Sequence, residues 1–428
     1  MLGAFVNALK VPELRKKIFF TLAIIALYRV GSHLPVPGVP FQGLVKAFEE
    51  ASSGLGDTVA LLNLFSGGAL SNVSLFSLGI MPYITASIIM QMMQAVIPSL
   101  GELAKEGEAG QRKITQYTRY LTIGFSLISA IGYLALFKGQ FGISFAGAWL
   151  PSIVMDIVVV MSLVIGAVII MWMGELITQR GVGNGMSLII FANIMAHLPQ
   201  ALFESAANGT AGVLQTVLIV LVILVVVPLI VFIERGQRRI PIHYAKRVVG
   251  RRVMGGQSTY LPIKVNTAGV IPIIFASAIL YLPAQIAVFF SDVTWMQSFS
   301  SAVSTGWLNW ILSVFMIVFF AYFYTSMVFN PQDTADNLRK QGGFIQGVRP
   351  GGATVQYIKN VINRITLPGA IFIALVAVVP SIVFHFTGNQ LVHAFGGTSI
   401  LIMVGVALDT MMKVESQLKM HNYEGFFK

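Results

Sequence analysis

Ile80 with Ile84 and Met186 with Ile190 stand one helical turn apart in strongly apolar surroundings. Side chains at positions i and i+4 share one face of a helix. Branched or flexible apolar groups ringed about a water path hold back ions by dewetting, yet yield to a bulky apolar solute. The same spacing also suits helices that pack on lipid or on one another, so both readings stand at this level. Covalent chemistry finds less support. The six histidines, His33, His197, His243, His385, His393 and His421, fall between apolar runs or near their ends, and none stands with Asp or Glu at metal-ligand spacing. No G-x-S-x-G elbow, H-E-x-x-H helix or pair of membrane aspartates occurs. The absence of cysteine excludes thiol chemistry and disulfides. A phosphate loop of the G-x-x-x-x-G-K-[ST] type is also missing, so energy for any transport must come from a partner. No catalytic residue, metal or cofactor is expected.

The elements that must position these residues are membrane helices. Of the 428 residues, 56% are hydrophobic and 11% charged, a balance with which a water-soluble protein of this size cannot cover its surface. Apolar runs able to cross ~30 Å of hydrocarbon lie near residues 18–35, 74–97, 119–137, 153–173, 185–203, 213–233, 267–290, 308–329, 367–387 and 397–412. The first of these ten is the weakest, because Arg29 and His33 lie within it. With the N-terminus placed inside, 25 of the 28 Lys and Arg fall on the inner side. Only Lys46 and Lys138 fall outside, and Arg29 lies in the first span. Such a bias puts both termini in the cytoplasm, as an even number of spans also requires. The stretch MLGAFVNALKVPELRKK shows no cleavable signal pattern, and its Lys10, Arg15, Lys16 and Lys17 anchor the first span. The net charge of +11 thus belongs to one face. The segment ERGQRRIPIHYAKRVVGRRVMGGQSTYLPIKVN, residues 234–266, has eight basic residues against one acid, more than orientation needs. It suggests docking of a large anionic partner such as ribosomal RNA, acidic protein or lipid headgroups.

Five spans precede about residue 205 and five follow. A half with an odd number of spans inserts its successor upside down, so two inverted pseudo-symmetric halves, 1–205 and 206–428, are expected. That expectation rests on span count, since no residue-level repeat is evident. The stretch NLFSGGALSN, residues 63–72, is too apolar for a solvated loop, and TVALLNLFSGGALS, residues 58–71, can form a short helix from an Asp or Thr cap. Eight to eleven helical residues reach only ~12–16 Å, half a bilayer, and survive there only where protein or water satisfies the backbone. Gly67 and Gly68 permit a tight turn after it. A re-entrant half-helix followed by a full span fits best, with an amphipathic surface helix as the alternative. Pro82 in the second span and Pro272 and Pro283 in the seventh are hinge points. Thr85, Ser87, Asn266 and Thr267 offer polar contacts of ~0.6–2 kcal/mol each, weak enough to part reversibly. Asp156, Glu175 and Asp409 lie toward span ends, which weakens an ion-coupled transporter without eliminating it.

A set of longer strings points to a family. SGGALS, GIMPYITASIIMQ, GEAGQRKITQYTRYLT, RGVGNGMSLIIFA, ERGQRRIPIHYAKR, LPIKVNTAGVIPIIFASA, FNPQDTADNLRKQGGFIQGVRPG and GGTSILIMVGVALD follow in order. Together they resemble the bacterial SecY family, the channel-forming subunits of the Sec protein translocon, over essentially the whole chain. The resemblance implies an all-α polytopic membrane protein of ten transmembrane helices in two inverted halves of five, with a re-entrant plug helix. It implies a protein-conducting channel that moves unfolded polypeptides across the membrane and releases apolar segments sideways into it. A secondary transporter of a small solute remains the alternative.

Motif by motif, the resemblance puts the pore ring on Ile80, Ile84, Met186, Ile190, Ile274 and Ile402. Met186 departs from the usual isoleucine; being flexible and of similar size, it should still seal, with slightly altered leakiness. The plug falls on residues 57–71, with Asp57, Leu64, Phe65, Gly67, Gly68 and Leu70. The lateral gate falls on Thr85, Asn266 and Leu282. Docking of a motor or ribosome falls on Arg239, Arg251, Arg252 and Arg349, in cytoplasmic loops near 234–266 and 330–366. Implied partners are SecE and SecG, the SecA ATPase, the ribosome, signal sequences with their unfolded chains, and membrane lipids, at the bacterial plasma membrane.

Overall fold

The computed structural model describes residues 8–38, 66–139, 151–207, 209–244, 247–249, 252–254, 259–289, 294–304, 307–387 and 396–424. Pro12 at the first helical turn starts α1 (Pro12–Gly31), which buries the stripe Leu14, Ile18, Thr21, Ile24, Tyr28 and Gly31. The helix begins earlier than the apolar run near 18–35 because its charged first turns prolong it beyond that run. The segment leaving α1 is clipped to the one entering the next span: Val36 donates to the Val73 carbonyl (3.0 Å) and Leu75 to the Leu34 carbonyl (2.9 Å). Residues 67–80 run as turns, with Val73 at φ 42° and Gly79 at φ 57°. The second span therefore starts at Met81, not near 74, as α2 (Met81–Val96). Ile97 is extended ahead of Pro98, the conformation proline imposes on its predecessor. This bends α3 (Pro98–Lys105) by 100° from α2.

α4 (Glu108–Gly139), α5 (Ser152–Arg180) and α6 (Gly185–Ala207) complete the first five spans. The division expected at 205/206 falls in the last turn of α6. The second five are α7 (Gly209–Glu234), α8 (Ile271–Phe289), α10 (Trp307–Val328), α12 (Gly352–Thr387) and α13 (Gly397–Glu424). The short α9 (Thr294–Ser304) precedes α10, and α11 (Pro331–Lys340) follows it. Among the described residues, five helices are long and apolar enough to cross a membrane alone, and the bent pair α2–α3 makes a sixth. α6, α7 and α8 add apolar stretches over Gly185–Pro199, Val220–Glu234 and Ile271–Leu280. One apolar core runs through both halves, from Ile24 and Tyr28 to Ile402 and Leu408.

The basic segment after α7 is not a loop. It forms β1 (Gln237–Tyr244), β2 (Arg247–Val249), β3 (Arg252–Met254) and β4 (Thr259–Lys264), and β5 (Gly343–Ile345) joins from beyond α11. β1 lies between β4 and β5, antiparallel to both, and β2 pairs with β3. Ile240, Ile242, Ile263 and Ile345 form a small separate core with Leu338 of α11 and Ile358 and Ile362 of α12. The 36 residues of α12 reach ~54 Å at 1.5 Å each. One helix thus serves both the membrane body and this basic platform.

Candidate functional site

A cavity of about 310 Å³ lies where α2, α5, α6 and α8 meet. Ile84, Met186, Ile190 and Ile274 contribute its aliphatic lining, and Ser87, Gln91, Thr178, Asn184 and Ser187 its polar lining. Sequence brings these together through local geometry. In RGVGNGMS, Asn184 caps α6 by accepting from the Met186 N–H (3.1 Å), the usual service of a short polar side chain at a helix start. Thr178 accepts from the Gly185 N–H (2.9 Å) while donating to the Gly174 carbonyl (2.9 Å). A Cβ on Gly185 would lie 1.9 Å from the Gly174 oxygen, so α5 and α6 touch backbone to backbone there. That contact fixes the depth of Met186 and, one turn on, of Ile190. Ile84 sits one turn beyond Ile80, whose carbonyl accepts its N–H (3.1 Å).

All six expected ring residues are buried in the one core. Four line the cavity; Ile80 and Ile402 are not in its lining. α13, which carries Ile402, passes close to the turn that leads into α8: a Cβ on Gly405 would lie 2.0 Å from the Val270 side chain. At the polar rim, Arg119 of α4 grips Glu175 of α5 with two hydrogen bonds, 2.9 and 2.5 Å. Lys138 of α4 pairs with Asp156 of α5. These pairs account for two of the ionisable groups noted within spans.

The expected gate positions are Thr85, Asn266 and Leu282. α8 packs against α2 and α4, as a seam between the halves requires. Thr85, however, donates to the Met81 carbonyl of its own helix (3.1 Å). Asn266 donates to Glu234 (2.5 Å) and to the Gly269 carbonyl (2.9 Å), fixing the turn before α8. Neither residue's bond described above crosses from α2 to α8; a threonine hydroxyl within a helix finds its i−4 carbonyl first. Leu282 lies half-buried on α8.

Of the plug positions, Asp57, Leu64 and Phe65 lie outside the described residues. Gly67 and Gly68 take left-handed conformations, φ 71° and 85°, and Leu70 is fully buried. Sequence reasoning missed what holds them. The Tyr28 hydroxyl donates to the Ser66 carbonyl (3.1 Å) and Arg29 to the Gly67 carbonyl (2.9 Å). Arg29 also donates to the Ala192 carbonyl (2.5 Å), and Asn193 to the Tyr28 oxygen (2.9 Å). The signal was present, an arginine inside an apolar run, but its acceptors are backbone atoms that no residue type announces.

Of the docking positions, Arg239 is exposed on β1 with its guanidinium 4.8 Å from the Tyr260 ring centre. Arg349 is exposed after β5. Arg252 lies in β3, and Arg251 is outside the described residues.

The sequence profile of the SecY family matches residues 74–411. Protein translocase subunit SecY of Streptomyces coelicolor is 48% identical over 440 residues, covering all of both chains. Among solved structures, a SecY whose plug domain is described as stabilising the closed state of the translocation channel matches with a TM-score of 0.64. It covers 95% of each chain at 17% identity. Sec61 in the canine ribosome–channel complex matches with a TM-score of 0.58, 95% of each chain and 15% identity. The fold is that of these channels, ten membrane helices in two inverted halves with a plug. These relatives give no support to a small-solute transporter or an enzyme. The chain is a multi-pass membrane protein and a protein-conducting channel, and it belongs to the SecY family.

Proposed function

We propose that conduction runs through a constriction made by Ile80, Ile84, Met186, Ile190, Ile274 and Ile402, closed at rest by residues 57–71. The observation that carries this reading is the convergence of Ile84, Met186, Ile190 and Ile274, from three helices of both halves, on one cavity. Aliphatic contacts are non-directional, so such a ring fits any unfolded chain that passes and limits ion leakage round it. The seam of α8 with α2 and α4 is the lateral gate. An apolar segment that reaches it gains roughly 25 cal/mol per Å² on leaving water for lipid, whereas a polar segment gains nothing and continues outward.

The basic platform faces the cytoplasm, as the one-sided distribution of Lys and Arg supports, and both termini lie on that side of the bacterial plasma membrane. Arg239, Arg251, Arg252 and Arg349 dock the SecA motor or the ribosome. The ribosome-bound Sec61 channel of the same fold supports the second of these. SecE and SecG pack on the outside of the helix body. The test is a stalled secretory chain with a photoreactive group replacing Ile84 or Ile274. Adducts that vanish when the signal sequence is deleted are expected. A chain that engages elsewhere without adducts at either position would remove the ring assignment.

A further inference from the structure

The guanidinium of Arg29 bridges two elements, α6 and the turn at residues 66–67. One side reaches α6, at the Ala192 carbonyl (2.5 Å) and the Asn193 carbonyl (3.4 Å). The other reaches the Gly67 carbonyl (2.9 Å). One residue earlier, the fully buried Tyr28 does the same with a hydroxyl, donating to Ser66 and accepting from Asn193 of α6. Its ring is stacked on Phe76, with centroids 5.5 Å apart and planes 7° from parallel. Consecutive residues of α1 therefore each tie one carbonyl of the 66–67 turn to α6.

We infer that Arg29 is a positioning residue for channel closure: with Tyr28 it forms a latch that holds residues 66–70 seated, and breaking it is part of opening. The inference rests on the reading of residues 57–71 as the plug. Both acceptors are backbone carbonyls, so the latch senses where the chain lies and not which side chains it carries. It engages only when Ser66 and Gly67 turn their oxygens toward α1, and Gly67 at φ 71° provides that turn. The fit is tight against a side chain, since a Cβ on Gly67 would lie 2.4 Å from the side-chain oxygen Oδ1 of Asn193.

The latch is also built to re-form. Arg29 is half-buried in the last turn of α1, and a charged group within a membrane helix is favoured when it keeps a partner. When the turn leaves, Arg29 keeps its two acceptors on α6, so the guanidinium stays aimed at the vacated position. Its hydrogen bond to Gly67 is charge-assisted and should favour the seated state about tenfold to hundredfold. The neutral bond from Tyr28 should contribute about threefold to tenfold.

The chain lacks cysteine, so one introduced thiol reports the seat directly. Ala69 is fully buried, and Ala69→Cys in channels reconstituted into vesicles should react slowly with a water-soluble maleimide. Adding Arg29→Gln should raise the labelling rate at least tenfold. Tyr28→Phe, which keeps the Phe76 stack, should raise it about threefold to tenfold, and Arg29→Lys should restore much of the protection. Rates within twofold of the parent in both Arg29→Gln and Tyr28→Phe would overturn the latch. Ion efflux measured on the same vesicles separates the two readings. Faster labelling with faster efflux supports both, while faster labelling with unchanged efflux keeps the latch and removes the plug reading on which its role in closure depends.

Discussion

Ile402→Asn tests the ring where the side chain is most completely covered, at 0% exposure. Burying an aliphatic side chain of this size is worth about 1.5–3 kcal/mol relative to leaving it in water. An asparagine amide left there without a partner costs about 1–3 kcal/mol more. Both losses fall on the closed state alone if opening admits water to the ring. Taking the low end of each range gives about 2.5 kcal/mol in sum, roughly a seventyfold shift toward open channels. The assay is ion efflux from vesicles holding the purified channel, paired with export of a substrate whose signal sequence has a shortened apolar stretch. Both should rise, and Ile402→Val, which stays apolar, should stay within a few-fold of the parent. Unchanged efflux and selection in folded Ile402→Asn would refute the reasoning and leave Ile402 as ordinary packing.

Gly166→Ala should destabilise the whole body, because its Cβ would lie 1.8 Å from the Leu75 carbonyl oxygen, a backbone atom that cannot step aside. A loss of about 1–3 kcal/mol should appear as earlier thermal unfolding in detergent, and an unchanged transition would contradict that close contact. Arg349→Glu should cut SecA-dependent export at least tenfold while the channel still inserts normally; full export would end its docking role. A disulfide or short crosslink between cysteines at Thr85 and Leu282 should stop translocation until it is cleaved. Export that continues with the crosslink intact would exclude that seam as the gate.

The membrane body was legible because hydropathy and charge act locally: ten apolar runs and a one-sided basic bias need no knowledge of tertiary contacts. The convergence of the proposed ring residues on one core was legible only in part. Ile80 and Ile84 show their shared face in sequence, but Ile274 and Ile402 reach the same core from segments far away and carry no spacing signal of their own. The basic platform was misjudged as loop although β1 alternates buried Ile240 and Ile242 with exposed Arg239 and Pro241. Its charge drew attention away from that period of two, and its partner β5 lies a hundred residues on. Thr85 had the right chemistry for a helix-to-helix bond, yet its own i−4 carbonyl was nearer. Arg29 read as a flaw in the first span because residue types cannot reveal a backbone acceptor 38 or 163 residues away.

The two proposed closures use different forces, and that difference predicts when each one fails. Ring contacts are apolar and non-directional, so they re-form round whatever chain occupies the pore. The latch on residues 66–67 is directional, made of hydrogen bonds that exist only in one seated geometry, so a passing chain must break it and keep it broken. Resting efflux should therefore rise in both Ile402→Asn and Arg29→Gln. Efflux through channels occupied by a stalled chain should rise in Ile402→Asn alone, because in that state the latch is already open and its loss has no further effect. Measuring efflux in the two states on the same vesicles resolves this, and an occupied-state rise in Arg29→Gln equal to that in Ile402→Asn would mean the two closures are one.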